Sequence, residues 1–337
     1  MGNGANKRQA DWTGRLEQLE DRQLMSAAPV AGFLGGAIEQ HTAISDLPAL
    51  EHHQQSRGDF WIDPVDESIL DAQFDNIETA LANAHNQTGL STVRADYAFM
   101  GRGQTVAVID SGIAYDHFAL GGGFGSGYRV VGGWDFTGEN DNDPYDDGPS
   151  GSHGTHVSGI VGADSGSNTG VAPEVDLVGL RVFDDAGAGF FSWVENALDW
   201  VHTNRDNFDN PITAVNLSLG VSGWNADTIP SWAMLEDEFA QLEADGIFIA
   251  VSAGNSFTSY NTPGLSYPAA SSHVIPVMSV DDSGLLSYFS QRHARAIAAP
   301  GRGIVSTVPD YAGNNNSTTD DYASFSGTSM ASPYIAG

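Results

Sequence analysis

Short apolar runs alternate with amphipathic stretches along most of the chain after about residue 90. The run from Val106 to Ile109 is continuous rather than alternating, which is typical of a strand buried on both faces of a parallel sheet. Similar apolar runs predict further strands. The predicted strands cover residues 106–109, 175–183, 212–219, 247–252 and 274–280.

Helical periodicity fills the intervals between these runs. Residues 154–163 predict a helix of small side chains, suited to close packing. Residues 192–195 (SWVE) form a capping box that predicts the start of another helix. Its apolar stripe, spaced i, i+3, i+4 and i+7, is Val194, Ala197, Leu198 and Val201. Residues 231–245 predict a third helix, ended by Gly246, with its apolar face at Trp232, Leu235, Phe239 and Leu242.

Strands that alternate with helices predict an α/β fold with a mostly parallel central sheet and helices on both faces. Ligand sites in such sheets lie at the carboxyl ends of strands. Asp110, Ser218 and Asn255 fall at or just beyond predicted strand ends. We therefore expect these three side chains to lie near a functional site.

Three strings supply an Asp, a His and a Ser in that order: residues 108–112 (VIDSG), 153–159 (HGTHVSG) and 327–333 (GTSMASP). A serine hydroxyl attacks a carbonyl only when a base takes its proton, and imidazole titrates in the right range. A carboxylate then orients the imidazole. Alone, each string is better explained as a turn, a loop or a helix cap. Their joint occurrence in this order favours nucleophilic catalysis.

Through these strings, residues 92–337 resemble the subtilisin-like serine proteases. The resemblance implies a subtilisin-like three-layer fold with Asp110 as the orienting carboxylate, His153 as general base and acid, and Ser329 as nucleophile. His156 would then have a structural role. Residues 251–256 (VSAGNS) resemble the family's oxyanion segment, which implies Asn255 as the donor to the developing negative charge.

Residues 216–220 (NLSLG) resemble the strand that pairs with an extended substrate in this family. The resemblance implies two facing walls of a substrate pocket. One wall is Ser218, Leu219 and Gly220, and the other is Ser252, Ala253 and Gly254. The small residues on both walls predict a roomy pocket and broad specificity.

The acidic stretch from residue 132 to residue 147 resembles the calcium loop of thermitase-like members of the family. Calcium is a hard ion that prefers oxygen ligands. The resemblance implies a structural calcium ion held by Asp135, Asp141 and Asp143. The alternative is a solvated acidic loop.

Composition bears on the partners and the location of the protein. The 337 residues carry a formal net charge of −30, from 43 acidic and 13 basic residues, which argues against nucleic acid and anionic membranes as partners. The chain has no cysteine and no apolar run long enough to span a membrane. With the resemblance, this predicts polypeptide substrates, a monomer, and a secreted or cell-surface location in a bacterium.

Three regions are predicted along the chain. Residues 1–27 form an export or tag-like segment that resembles a short motif of exported planctomycete-type proteins, and residues 28–90 form a propeptide-like or linker region. Residues 91–337 form the catalytic domain. The family continues well past the nucleophile helix, whereas this sequence stops soon after Ser329, at Gly337. We expect that the catalytic domain lacks its C-terminus and that this chain by itself is poorly stable or inactive.

The sequence therefore predicts a calcium-assisted serine endopeptidase that works through an acyl-enzyme intermediate. Two alternatives stay open. One is a non-catalytic binding protein on the same fold, or an inactive truncation product. The other is an esterase or peptide ligase that uses the same Asp, His and Ser.

Overall fold

The computed structural model describes residues 61–62, 79–148 and 151–337. All of these residues belong to one compact unit, which lies within residues 55–337. The predicted tag-like segment lies outside the described residues, as does most of the propeptide-like region.

In chain order, the described strands are β1 (Trp61–Ile62), β2 (Thr79–Ala80), β3 (Thr105–Asp110), β4 (Val130–Asp135), β5 (Asp176–Arg181), β6 (Gly189–Phe190), β7 (Ile212–Leu217), β8 (Phe248–Ser252), β9 (Ile275–Val280), β10 (Ile297–Pro300), β11 (Ile304–Thr307) and β12 (Tyr322–Phe325). The described α-helices are α1 (Leu81–Thr88), α2 (Leu90–Tyr97), α3 (His153–Gly162), α4 (Phe191–Asn204), α5 (Glu236–Ala244), α6 (Phe257–Tyr260) and α7 (Thr328–Ala336).

Within the described ranges the main sheet has seven strands in the order β10-β9-β8-β7-β3-β5-β4. Every neighbouring pair in it is parallel. The α/β prediction with a mostly parallel sheet is therefore confirmed. Strands β5, β3 and β7 are neighbours in this sheet and run parallel, so their carboxyl ends lie at the same end of the sheet. This is where the sequence predicted the functional site.

Two hydrophobic cores cover the two faces of this sheet. Along β3, Ala107 and Ile109 belong to the core that contains α4 and α5, whereas Val106 and Val108 belong to the core that contains α3 and α7. Alternate side chains of a strand point to opposite faces, so a strand covered on both sides needs apolar residues throughout. This explains the continuous apolar run in the sequence.

Two predicted helix starts are corrected by the structure. Helix α4 begins at Phe191, one residue before the predicted capping box, and its N-cap Phe190 makes no side-chain cap bond. Its apolar stripe is buried as predicted. Helix α5 begins at Glu236 rather than at residue 231. Three acidic residues in its first turn favour a start there, because carboxylates stabilise the positive end of the helix dipole.

Helix α1, which lies in the predicted propeptide-like or linker region, packs against α7, the helix of Ser329. Leu81 and Ala84 are buried in the core that contains α3 and α7, and His85 Nδ1 lies 2.7 Å from the Tyr334 hydroxyl. Residues 81–88 are therefore part of the folded core around the site.

A small sheet in the order β12-β11-β2 packs beside α3, and His156 joins the two. Its Nε2 donates to the carbonyls of Ile304 (3.0 Å) and Ala323 (3.1 Å), and its ring stacks on Phe325 with centroids 4.3 Å apart. Burial, together with the neighbouring His153, lowers the pKa of His156 to about 3. These contacts suit the structural role predicted for His156.

Acid should destabilise the fold through this histidine. The unfolded chain takes up a proton below about pH 6.5, whereas folded His156 stays neutral down to about pH 3, so stability falls as the pH falls. One such group contributes up to about 1.4 kcal/mol per pH unit. The check is the free energy of unfolding between about pH 7 and about pH 4. His156→Gln keeps an N–H donor and should flatten the slope; an equal slope in both proteins would contradict this account.

Candidate active site

Asp110 and His153 form a buried hydrogen-bonded pair. Asp110 is the last residue of β3, His153 is the first residue of α3, and His153 Nδ1 lies 2.7 Å from Asp110 Oδ1. Asp110 Oδ1 also accepts the backbone N–H of Ser111 at 2.8 Å. An ionised carboxylate can only accept, so Nδ1 carries the proton. Nε2 is then the nitrogen that can act as a base.

Ser329 is the second residue of α7 and is tied to the end of β7. Its Oγ donates to the carbonyl of Ser218 at 3.3 Å, while Ser218 Oγ donates to the carbonyl of Ser329 at 2.7 Å. Asn216 Nδ2 in turn donates to Ser218 Oγ at 2.9 Å. Helix α7 packs against α3 as well as against the sheet, which holds the serine helix against the histidine helix.

Asn255 follows β8, and its carboxamide is oriented by Thr328. Asn255 Oδ1 accepts the N–H of Thr328 at 2.9 Å and its Oγ1–H at 2.8 Å. Thr328 Oγ1 in turn accepts the N–H of Gly254 at 3.1 Å. Because both Thr328 donors bind Asn255 Oδ1, the side-chain amide is oriented with Nδ2 as its donor. Nδ2 could then donate to an oxyanion that develops beside Ser329. The contact between Thr328 and Asn255 was not predicted from the sequence, where the only sign of a role for Thr328 is that it precedes Ser329.

The chain is also similar to known proteins with an Asp, a His and a Ser in this order. A model of the subtilase family (peptidase S8) matches residues 101–337 of the chain. The chain belongs to the subtilase family.

Two relatives and one solved structure give the scale of the similarity. Subtilisin E of Bacillus subtilis (strain 168) is 34% identical over 256 residues, covering 74% of this chain and 58% of subtilisin E. Thermitase of Thermoactinomyces vulgaris is 33% identical over 241 residues, covering 70% of this chain and 74% of thermitase. The crystal structure of a cold adapted subtilisin-like serine proteinase superposes with a TM-score of 0.55 at 32% identity, covering 71% of this chain and 74% of that one. The chain thus spans less than two thirds of subtilisin E.

Gly220 and Gly254, one from each predicted pocket wall of this subtilase, both lie against Ser266. A Cβ added at Gly220 would lie 2.7 Å from Ser266 Oγ, and one added at Gly254 would lie 2.7 Å from Ser266 Cβ. The Gly254 position also abuts the buried side chain of Gln291. Ser266 and Gln291 come from a later part of the chain than either wall, and the predicted roomy pocket stays a prediction.

The three predicted calcium ligands are not brought together. Asp135 is fully buried with Oδ2 at 3.1 Å from Arg181 Nη1, Asp141 Oδ1 accepts the N–H of Asp143 at 2.9 Å, and Asp143 Oδ1 accepts the Tyr115 hydroxyl at 2.9 Å. Across the described part of the chain, no group of three or more His, Cys, Asp or Glu side chains could hold a metal ion. These residues do not fit a shared calcium ion in this arrangement.

Arg181 supplies a positive charge at the acidic loop. It ends β5, opposite both Asp110 and Asp135 in the sheet register, and it is 2% exposed. Besides Asp135, its guanidinium contacts Asp147 Oδ1 at 2.9 Å and Asp185 Oδ1 at 2.5 Å. The sequence signal was a lone arginine at the end of an apolar run.

Arg181→Met should destabilise the fold by about 3–5 kcal/mol, because it leaves the buried carboxylate of Asp135 without its cation. The matched control is Arg102→Met. Arg102 also pairs with a carboxylate, Glu174 at 2.9 Å, but its side chain is 82% exposed, so we expect little change. Chemical denaturation of the two variants and the wild type checks this. Losses of similar size in both variants would show that burial of the Arg181 cluster does not matter.

Strand β6, which the sequence did not single out, forms a separate two-stranded sheet with β1 in the described part of the chain. It pairs antiparallel with β1, with Trp61 opposite Phe190 and Ile62 opposite Gly189. A part of the propeptide-like region therefore adds a strand to the segment that follows β5.

Proposed function

We propose that this subtilase is a serine endopeptidase that hydrolyses peptide bonds in extended polypeptides through an acyl-enzyme intermediate. The observation that carries the proposal is the buried Asp110–His153 bond of 2.7 Å at the edge where the helix of Ser329 begins. It commits Nδ1 to the carboxylate and leaves the base function to Nε2.

The residues divide the reaction among them. His153 takes the proton of Ser329 as its Oγ attacks the scissile carbonyl, and Asp110 stabilises the resulting imidazolium. Asn255 Nδ2 and the backbone N–H groups at the start of α7 stabilise the oxyanion of the tetrahedral intermediate. His153 then returns the proton to the leaving amine. To hydrolyse the acyl-enzyme, His153 takes a proton from the attacking water and gives it to Ser329 Oγ as the ester bond breaks.

An extended substrate suits the backbone around the site. Ser218, Leu219 and Gly220 continue from β7 beside the end of the neighbouring parallel strand β8, where Ser252, Ala253 and Gly254 lie. Ser252 Oγ donates to the carbonyl of Leu219 at 3.4 Å. The antiparallel pairing of β1 with β6 supports strand addition as the way in which an extended segment binds, because β6 accepts such a segment through main-chain pairing. The same pairing supports a propeptide-like role for the region that contains Trp61 and Ile62.

A matched peptide amide and ester test the proposal. A peptidase hydrolyses both, and a fluorophosphonate probe phosphonylates its Ser329 Oγ with loss of fluoride. Hydrolysis of the ester alone would favour the esterase alternative. Binding of the peptide without hydrolysis or labelling would favour a non-catalytic binding protein and reject the proposal.

Asn255→Ala should lower kcat about 10²–10³-fold and change KM little, because the amide acts only on charge that develops in the transition state. The size is taken from a subtilisin with the corresponding change. Steady-state hydrolysis of a peptide amide checks it. Asn207→Ala, at an exposed turn away from the site, is the control and should match the wild type. An unchanged kcat in Asn255→Ala would reduce Asn255 to a turn residue.

Several predictions rest on the sequence alone. No helix in the described ranges is long and apolar enough to cross a lipid bilayer. Calcium dependence, a secreted or cell-surface location and a monomeric state stay predictions.

A further inference from the structure

Asp146 is a fully buried carboxylate in the loop between β4 and α3. Its Oδ1 accepts from Ser111 Oγ (3.1 Å) and from the N–H of Ser152 (3.0 Å). Its Oδ2 accepts from the N–H (3.1 Å) and Oγ1 (2.6 Å) of Thr155. The donors Ser111, Ser152 and Thr155 are chain neighbours of Asp110 or His153, so one carboxylate contacts both strings that build the catalytic pair.

The start of α3 depends on this carboxylate. Ser152, the residue before His153, has φ of 89°, and its own side chain makes no cap bond. A residue with a Cβ is disfavoured in this left-handed region. The N–H groups of Ser152 and Thr155 instead find their acceptor in Asp146, whose charge also suits the positive end of the helix.

Asp146 is also connected to Asp110, through hydrogen bonds of Ser111. Ser111 Oγ donates to Asp146 and accepts the N–H of Gly154 at 2.9 Å. The N–H of Ser111 donates to Asp110 Oδ1, the same oxygen that receives His153 Nδ1. The loop itself is held separately, because the Tyr311 hydroxyl donates to the carbonyl of Asp146 at 2.8 Å. A change at the carboxylate therefore acts on the catalytic pair more than on the course of the loop.

We propose that Asp146 is a positioning residue for catalysis, which clamps the Ser111 and Thr155 segments together and so holds His153 against Asp110. The proposal rests on the proposed peptidase function. Burial raises the pKa of Asp146 to about 6 against the opposing effect of its hydrogen bonds, so the group is ionised at neutral pH and can accept all four bonds.

Asp146→Asn should lower kcat by about 10- to 100-fold with KM within about twofold, because small displacements of a catalytic group are costly. The new NH2 group must face the backbone N–H of either Ser152 or Thr155, so one donor loses its acceptor. The control is Asp147→Asn, the same charge change at the next residue. Asp147 is half exposed and contacts Arg181 rather than the catalytic strings, so kcat should stay within about twofold of wild type.

A rescue experiment separates positioning from loss of stability. Adding Ser152→Gly to Asp146→Asn removes the cost of the left-handed backbone beside His153, and it should restore part of kcat. Adding Ser317→Gly relieves a similar conformation, φ of 69°, in an exposed loop. It should raise the melting temperature without restoring kcat. Equal recovery of kcat by both glycines, or an unchanged kcat in Asp146→Asn, would overturn the proposal.

If Asp146→Asn does not melt cooperatively, Ser111→Ala gives the decision. It keeps the carboxylate and removes the hydroxyl that joins it to the Asp110 segment and accepts the N–H of Gly154, so kcat should fall while KM stays. A folded Ser111→Ala protein with unchanged kcat would overturn the clamp. Wild-type protein without fluorophosphonate labelling or amide hydrolysis would instead refute the peptidase function, and the positioning role with it.

Discussion

Ser329→Ala should abolish both peptide hydrolysis and covalent labelling by a fluorophosphonate probe. We expect a loss of about 10⁶-fold in kcat, a size taken from a subtilisin in which nucleophile and base act as a unit. Alanine removes the Oγ that donates to the Ser218 carbonyl and leaves the packing of α7 otherwise intact. Activity that remains would come from the oxyanion donors and substrate binding alone.

Ser332→Ala is the matched control for this variant. Ser332 lies on the same helix, is equally buried, and has no hydrogen-bond partner for its Oγ among the described residues. Its loss should change neither labelling nor turnover. Labelling that persists in Ser329→Ala, at another serine, would refute the assignment of the nucleophile.

His153→Ala and His156→Ala should separate catalysis from stability. The first removes the base and should lower kcat by about 10⁶-fold, again on the scale of a subtilisin, with a modest effect on folding. The second removes the donor to two strand carbonyls and the stack on Phe325, which should cost about 1–3 kcal/mol of stability. Its kcat per folded molecule should stay close to wild type.

The measurements are active-site-normalised kcat and the free energy of unfolding for both variants. The two histidines lie three residues apart on the same helix and are both buried, so each serves as the control for the other. A comparable loss of kcat in two equally folded variants would mean that His156 also takes part in the reaction.

The amino-acid sequence alone determined the features that depend on neighbours in the chain. The unbroken apolar run of β3 predicted a strand buried on both faces, and the two cores on either side of it explain why. The position of Asp110 and Asn255 at strand ends follows from the same periodicity. Helix starts were predicted less closely, since α4 begins one residue before the Ser192 capping box and α5 begins at Glu236.

Tertiary structure decided the contacts between residues far apart in the chain. Thr328 orients Asn255 across 73 positions, Ser218 meets Ser329 across 111, and Trp61 pairs with Phe190. Asp146 and Arg181 belong to the same class. In the sequence Asp146 is one carboxylate of the acidic stretch, where calcium was the expected source of order, and Arg181 is a lone arginine in an apolar run. Whether a carboxylate caps a distant helix, pairs with an arginine or binds a metal depends on which groups the fold places within about 3 Å of it, and no local pattern records that distance.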